Sequence, residues 1–109
     1  MGNYLAHIAV TINTVKNRLA TELYISDNKI FYSYLRDNED ELVSAFDAQL
    51  DWFEADVASG FRVFHPVDDV FNEARKTEYF EWLYESILKF KKVLIPYVQE
   101  FKITASLEQ

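Results

Sequence analysis

The first half of the chain shows two patterns of apolar and polar positions. Residues 4–13 and 18–25 alternate between apolar and polar side chains, as half-buried strands do, and the polar segment 13–17 between them predicts an antiparallel hairpin. In residues 30–46 the period changes to that of an amphipathic helix. One arc of this helix collects the apolar residues Phe31, Leu35, Leu42 and Phe46.

The second half repeats the order of strands followed by a helix. Residues 50–54 and 61–65 predict two further strands around the turn at Gly60, and Pro66 should end the second of them because proline cannot donate to a ladder. Residues 78–95 predict a long helix that Pro96 should kink or end. Its predicted core face consists of Phe80, Leu83, Ile87, Phe90 and Leu94.

These elements predict a fold of the α+β class. The order is β-β-α-β-β-α, which favours a four-stranded, mainly antiparallel sheet with both helices packed on one face. A chain of 109 residues is the size of one domain, so residues 1–109 are expected to form a single unit. No apolar run reaches the roughly 18 residues of a membrane-spanning helix, and the first residues do not resemble a signal peptide, so we expect a cytoplasmic protein without membrane contact.

Composition removes several classes of function. The chain has no cysteine, which excludes disulfide frameworks, thiol nucleophiles and cysteine-based zinc sites. It has only two glycines, which leaves no phosphate-cradling loop. Its formal net charge of −7 makes nonspecific coating of DNA unfavourable unless a local basic patch overcomes the repulsion.

Two groups of residues loosely match metal sites. Glu100-Phe101-Lys102 has the E-x-K spacing of nuclease sites, but it follows Pro96 near the chain end, whereas such a motif belongs on a core strand. His7 and His65 lie in predicted strands, where Asp51 or Glu54 could supply a third ligand. Solvated charges and structural histidines are the more common explanations. We therefore predict no metal, no cofactor, no catalytic residue and no enzymatic activity.

Charge and aromatic placement point to binding instead. Eight acids and no base lie in residues 37–60, whereas residues 87–102 hold four lysines and one acid. On a helical wheel Trp82 lies about 160° from Phe80, off the predicted core face, so it is either covered by residues 67–71 or exposed as an anchor. A nucleic-acid contact would use Trp82, Lys89, Lys92 and Arg62.

Several short motifs, in order, resemble those of a known family. The most recognisable are R-x-x-x-E-L-Y-I at 18–25, Phe31-Tyr32-Ser33-Tyr34-Leu35 at the start of the first helix, L-x-W at 50–52, W-L at 82–83 and the proline at 96. Together they resemble DUF4268, a domain of unknown function of bacteria and archaea, over residues 18–101. The chain departs from the family pattern after the first helix, where Asp47-Ala48-Gln49 replaces a glycine, and at Glu54-Ala55-Asp56, where members carry lysines.

The resemblance implies a context rather than a reaction. Such modules often follow a restriction-endonuclease-like domain or occur in defence-related proteins. The leading hypothesis is thus a non-enzymatic accessory module that binds a protein partner or a second copy of itself, beside a nuclease or another nucleic-acid enzyme. The alternatives are direct nucleic-acid contact through the four residues above and an acidic decoy that mimics DNA with the acids of residues 37–56.

Overall fold

The computed structural model describes the backbone of residues 6–107 and the side chains of residues 6–102. The first two residues of the predicted strand 4–13 lie outside this range. The elements follow the order β-β-α-α-β-β-α, with a short 3-10 turn before the last helix. Their bounds are β1 Ala6–Asn13, β2 Arg18–Ser26, α1 Lys29–Asp37, α2 Glu39–Phe46, β3 Asp51–Glu54, β4 Ala58–Pro66 and α3 Lys76–Leu107.

The four strands form one antiparallel sheet in the order β1-β2-β4-β3. Both hairpins are present, but the turn predicted at Gly60 was wrong, because Gly60 lies inside β4 and is paired with Tyr24 and Phe53. β2 pairs with β4 so that Leu23 lies opposite Phe61. Directly paired residues share a face of the sheet. The face that carries Leu19, Leu23 and Phe61 is buried under the helices, while the other face carries no helix among the described residues. The predicted α+β class with an antiparallel sheet and helices is confirmed.

The helices divide the covered face between them. α1 and α2 lie over the β4–β3 side, where Tyr32 meets Trp52 edge to face and the Trp52 indole donates to Glu39. α3 packs on β2 and β1. All four apolar residues predicted for the first helix are buried: Phe31, Leu35, Leu42 and Phe46. They join Phe61, Phe90 and Leu94 in the main core.

The single helix predicted over 30–46 is divided at Asn38. The Asn38 backbone N–H donates to the Leu35 carbonyl at 3.0 Å, and its side-chain amide donates to the Tyr34 carbonyl at 2.8 Å. Asparagine forms such local bonds readily and thereby competes with a continuous helical ladder. Because the apolar spacing stays helical across the break, periodicity alone does not reveal it.

α3 continues through Pro96 to Leu107, so of the two effects predicted for this proline, a kink or the end of the helix, the second does not occur. Proline removes the bond to the carbonyl four residues earlier, that of Lys92. Both residues are exposed, so water can hydrate the freed carbonyl. None of the described helices is both long and apolar enough to cross a membrane.

The core face of α3 is also rotated from the predicted one. Leu83, Phe90 and Leu94 are buried as expected, but Phe80 is 53% exposed and its neighbour Tyr79 is buried instead. The Tyr79 hydroxyl donates to the Asp69 carbonyl at 2.9 Å. Both aromatic positions fit the helical period, and the packing of the loop before α3 selects Tyr79.

Candidate interaction surface

Trp82 lies against the sheet between two parts of the core. Its indole stacks on the His65 ring, with centroids 4.8 Å apart and planes 12° from parallel. It packs against the main core and against a smaller cluster of Leu19, Tyr79 and Leu83. The helical wheel that placed Trp82 off the core was centred on Phe80, which is itself exposed. The placement away from the core was therefore wrong, and a binding role for Trp82 stays a prediction.

Trp82 and Lys89 line the same cleft of about 360 Å³ between the end of α2, β4 and α3. The Lys89 ammonium donates to the Phe46 carbonyl at 2.8 Å, at the last residue of α2. A cation there complements the negative end of the helix dipole. Asp47 and Glu85 also line this cleft, so its charges are mixed rather than basic.

The other two predicted binding residues lie elsewhere. Lys92 is exposed on α3. Arg62 is on the helix-free face of the sheet, where its Nε donates to Glu22 at 2.6 Å and a second nitrogen lies 3.8 Å from an Asp51 oxygen. Its guanidinium also covers the Phe53 ring at 4.2 Å. The four predicted nucleic-acid contacts therefore do not form one patch.

The residues that loosely matched metal sites are also separated. His7 stacks on Tyr24 on the helix-free face, and His65 stacks on Trp82 on the covered face. Glu100 and Lys102 lie on α3 rather than on a strand. Among the described residues, no group of three or more His, Cys, Asp or Glu side chains is placed to hold a metal ion.

The acids of residues 37–56 do not form one ridge. Asp51 pairs with Arg62 on the helix-free face, whereas Glu39 and Glu41 lie in the first turn of α2. Glu39 accepts from the Trp52 indole, and Glu41 accepts from the Tyr97 hydroxyl at 2.8 Å. A DNA-like array needs free, evenly spaced charges, and these carboxylates are turned toward different partners inside the fold.

An exposed apolar row on α3 is the surface that sequence reasoning missed. Phe80, Tyr84, Leu88 and Ile95 are each about half exposed or more, and helical geometry places them within about 80° of arc. We call this row the outer stripe. A helix with apolar residues on two faces does not reveal from its own period which face is inside. The signal was the excess of apolar positions over what one face needs.

The outer stripe is continuous with the edge of the sheet. Ile12 of β1 lines a cleft of about 220 Å³ together with Phe80 of the stripe and Phe71 of the loop before α3. β1 is an edge strand of eight residues, Ala6–Asn13, and holds neither a charged side chain nor a proline. Such side chains are what usually protect an edge from pairing with another strand. Two apolar side chains of β1, Val10 and Ile12, are each more than 40% exposed.

The fold and these surfaces define a small α+β protein with an apolar flank at one edge of its sheet. The model of the family described as domain of unknown function (DUF4268) matches residues 1–98. The chain therefore belongs to this family, and the match includes β1, which the sequence motifs from residue 18 onward had left out. No curated protein and no solved structure matches the chain.

The residue that ends α2 has a left-handed backbone conformation. Asp47 ends α2 with φ 52° and ψ 46°, the left-handed region in which glycine is the usual residue. It stands where the resemblance places a family glycine. Asp is one of the few residues that adopts this conformation at modest cost, so the cap is kept without glycine.

Proposed function

We propose that this chain is a non-enzymatic protein-interaction module whose docking surface is the outer stripe together with the exposed edge of β1. The observation that carries the proposal is the joined exposure of Phe80, Tyr84 and Leu88 on the helix with Val10 and Ile12 on the strand. Large contiguous apolar patches on soluble proteins mark interaction sites. A bare edge strand adds backbone groups with which a partner can pair.

We further propose that the module works in the bacterial or archaeal cytoplasm beside a nuclease or another nucleic-acid enzyme of a defence system. This part rests on the resemblance described above and on no contact in the fold. A protein contact is favoured over direct nucleic-acid contact because Arg62, Trp82 and Lys92 face three different surroundings. In addition, Lys89 is engaged with the end of α2.

Site-specific photo-crosslinking in the source cells tests the proposal. A photoreactive phenylalanine analogue replaces Tyr84 in the outer stripe, and the matched control carries it at Ile30, which is 74% exposed on α1. We expect irradiation to join the Tyr84 variant to a polypeptide, either another protein or a second copy, and to leave the Ile30 variant without that adduct. An adduct to DNA or RNA alone, or equal labelling at both positions, would contradict the proposal.

A further inference from the structure

The charges beside the outer stripe change sign along α3. Glu81 and Glu85 lie beside its first half, Lys92 lies beside its second half, and Lys91 lies within the second half, between Leu88 and Ile95. All four side chains are exposed, and none of them has an ion-pair partner among the described residues. By helical geometry Glu81 and Lys92 lie within about 20° of each other around the axis, on the same border of the stripe.

A helix with this pattern is complementary to an antiparallel copy of itself. Turning one copy end for end about the centre of the stripe brings Glu81 of each chain near Lys92 of the other on the same border, and brings Glu85 of each chain to the height of Lys91 of the other. A parallel copy would set like charges together, which is unfavourable at close range. The same rotation lays Phe80 of one chain near Ile95 of the other, with Leu88 of both chains close to the axis.

The two-fold symmetry that relates the helices can also relate two β1 strands at the edge of the sheet. A two-fold axis perpendicular to the sheet makes two β1 strands antiparallel and keeps both α3 helices on one side. Phe80 of the stripe and Ile12 of β1 line one cleft, so the start of the stripe lies beside the edge where β1 is free to pair. Since β1 carries no charged side chain, pairing with its own copy brings no like charges together. Helix and strand thus indicate one isologous interface.

We propose that the occupant of the docking surface is a second copy of this chain, in a two-fold dimer with antiparallel α3 helices and a sheet continued across two β1 strands. This inference rests on the proposed function, since it names the partner of the same surface. Alternative occupants remain outcomes of the cell crosslinking: an adduct to another protein, with a purified chain that stays monomeric, would overturn the dimer and keep the interaction module.

Sedimentation velocity over a range of concentrations tests the dimer with purified protein. We expect the wild-type chain to form dimers, and Leu88→Glu to raise the dissociation constant about tenfold or more because it places a carboxylate at the centre of the stripe. Ile30→Glu is the control, with an equal charge change at an exposed apolar residue outside the surface. A wild-type chain that stays monomeric at the highest soluble concentration would overturn the inference.

Charge-exchanged variants test the antiparallel arrangement. Glu81→Lys with Glu85→Lys makes the charges along the stripe basic in both halves, and Lys91→Glu with Lys92→Glu makes them acidic in both halves. We expect each double variant alone to be monomeric and an equimolar mixture to form the mixed dimer. Lys89 is left unchanged because it holds the end of α2. A wild-type dimer combined with a mixture that does not associate would overturn the antiparallel arrangement.

Hydrogen exchange tests whether β1 takes part in the dimer interface. We expect amide protection in β1 to rise with protein concentration in the wild type but not in Leu88→Glu. The other edge strand, β3, is the internal control, because the proposed dimer leaves it free. Protection that rises in α3 but not in β1 would contradict the continued sheet.

Discussion

Trp82 joins the two parts of the core, and its contacts give a definite expectation for its removal. The indole stacks on His65 and packs against both clusters, so Trp82→Ala should lower the free energy of unfolding by about 3 kcal/mol. Urea unfolding followed by circular dichroism measures this loss. Tyr84→Ala, which truncates the residue of the outer stripe that is 64% exposed, should cost less than about 1 kcal/mol in the monomer. Equal losses in both variants would contradict the placement of Trp82.

Gly60 occupies a position in β4 that only glycine fits. Its φ is +153°, and a Cβ there would lie 1.8 Å from the Leu23 carbonyl oxygen and 3.1 Å from the Phe53 ring. Gly60→Ala should therefore destabilise the fold by at least about 2 kcal/mol, seen as a lower midpoint of thermal unfolding.

The residue next to Gly60 supplies the control for that substitution. Ser59 is buried, and its hydroxyl has no hydrogen-bond partner among the described residues. Ser59→Ala removes an unpaired polar group without adding volume, so its stability should stay within about 0.5 kcal/mol of wild type. If Gly60→Ala lowered the stability no more than Ser59→Ala does, this would contradict the close packing of Gly60 in β4 against the Leu23 carbonyl of β2.

For single residues, the wrong predictions concern the buried face of α3 and share one physical origin. The four apolar residues predicted to be buried in the segment that forms α1 and α2 are buried, because their helical spacing places them on one face. α3 has two apolar faces, and residues adjacent in sequence, Tyr79 and Phe80, both fit a helical stripe. The choice between them depends on the loop that carries Asp69, whose position is set by tertiary packing. Because the helical wheel was centred on Phe80, which is exposed, the placement of Trp82 relative to the core was wrong as well.

At the scale of the elements, one tyrosine ties α3 to α2 and makes that contact sensitive to alkaline pH. Burial raises the pKa of Tyr97 to about 12, and its hydrogen bond to Glu41 acts in the same direction. The pKa of Tyr34, whose ring centroid lies 6.2 Å from that of Tyr97, is also raised, chiefly by burial and then by Glu100. These phenols are thus held in their neutral forms where the helices meet.

The direction of the resulting pH dependence follows from the raised pKa of Tyr97. Between pH 10 and 12 the phenol of the unfolded chain loses its proton while that of the folded chain keeps it, so ionisation favours unfolding. The contribution of Tyr97 to stability is complete below pH 10 and is lost as the pH rises toward 12. Urea unfolding across this range should show a smaller alkaline loss for Tyr97→Phe than for the wild type. An identical loss in both would contradict the raised pKa.

The elements themselves were predicted unequally. Both hairpins follow from alternation, which is a local signal, and β1 and β2 occupy nearly the predicted ranges. The turn of the second hairpin was placed wrongly, because β4 begins at Ala58 and includes Gly60. The break at Asn38 depends on hydrogen bonds of one side chain and one backbone amide, which leave the apolar period unchanged. The passage of α3 through Pro96 depends on where the freed carbonyl of Lys92 points. That direction is known only when the buried face of the helix is known.

At the scale of the whole molecule, the order of the strands in the sheet determines which elements lie side by side at its surface. The pairing of β2 with β4 places β1 at one edge, next to α3, and places the short strand β3 at the other. Sequence alone indicated two hairpins but not how they meet, because that contact joins residues about 40 positions apart, such as Glu22 and Arg62. The same pairing neutralises Arg62, and so it removes a member of the predicted basic patch.

The net charge and the separation of the predicted basic contact residues together predict that the molecule does not bind nucleic acid. A body of charge −7 repels phosphate, and affinity would require several lysines and arginines to converge on one backbone. Here Lys89 and Arg62 are engaged on different faces of the molecule, so these two cations do not converge on one nucleic-acid backbone. Fluorescence anisotropy with labelled single- and double-stranded DNA and RNA should show no binding at about 0.15 M salt. Binding that falls steeply with salt, and is lost when Lys89 and Lys92 are changed to glutamine, would overturn this expectation. It would also make nucleic acid, rather than a protein, the partner of α3.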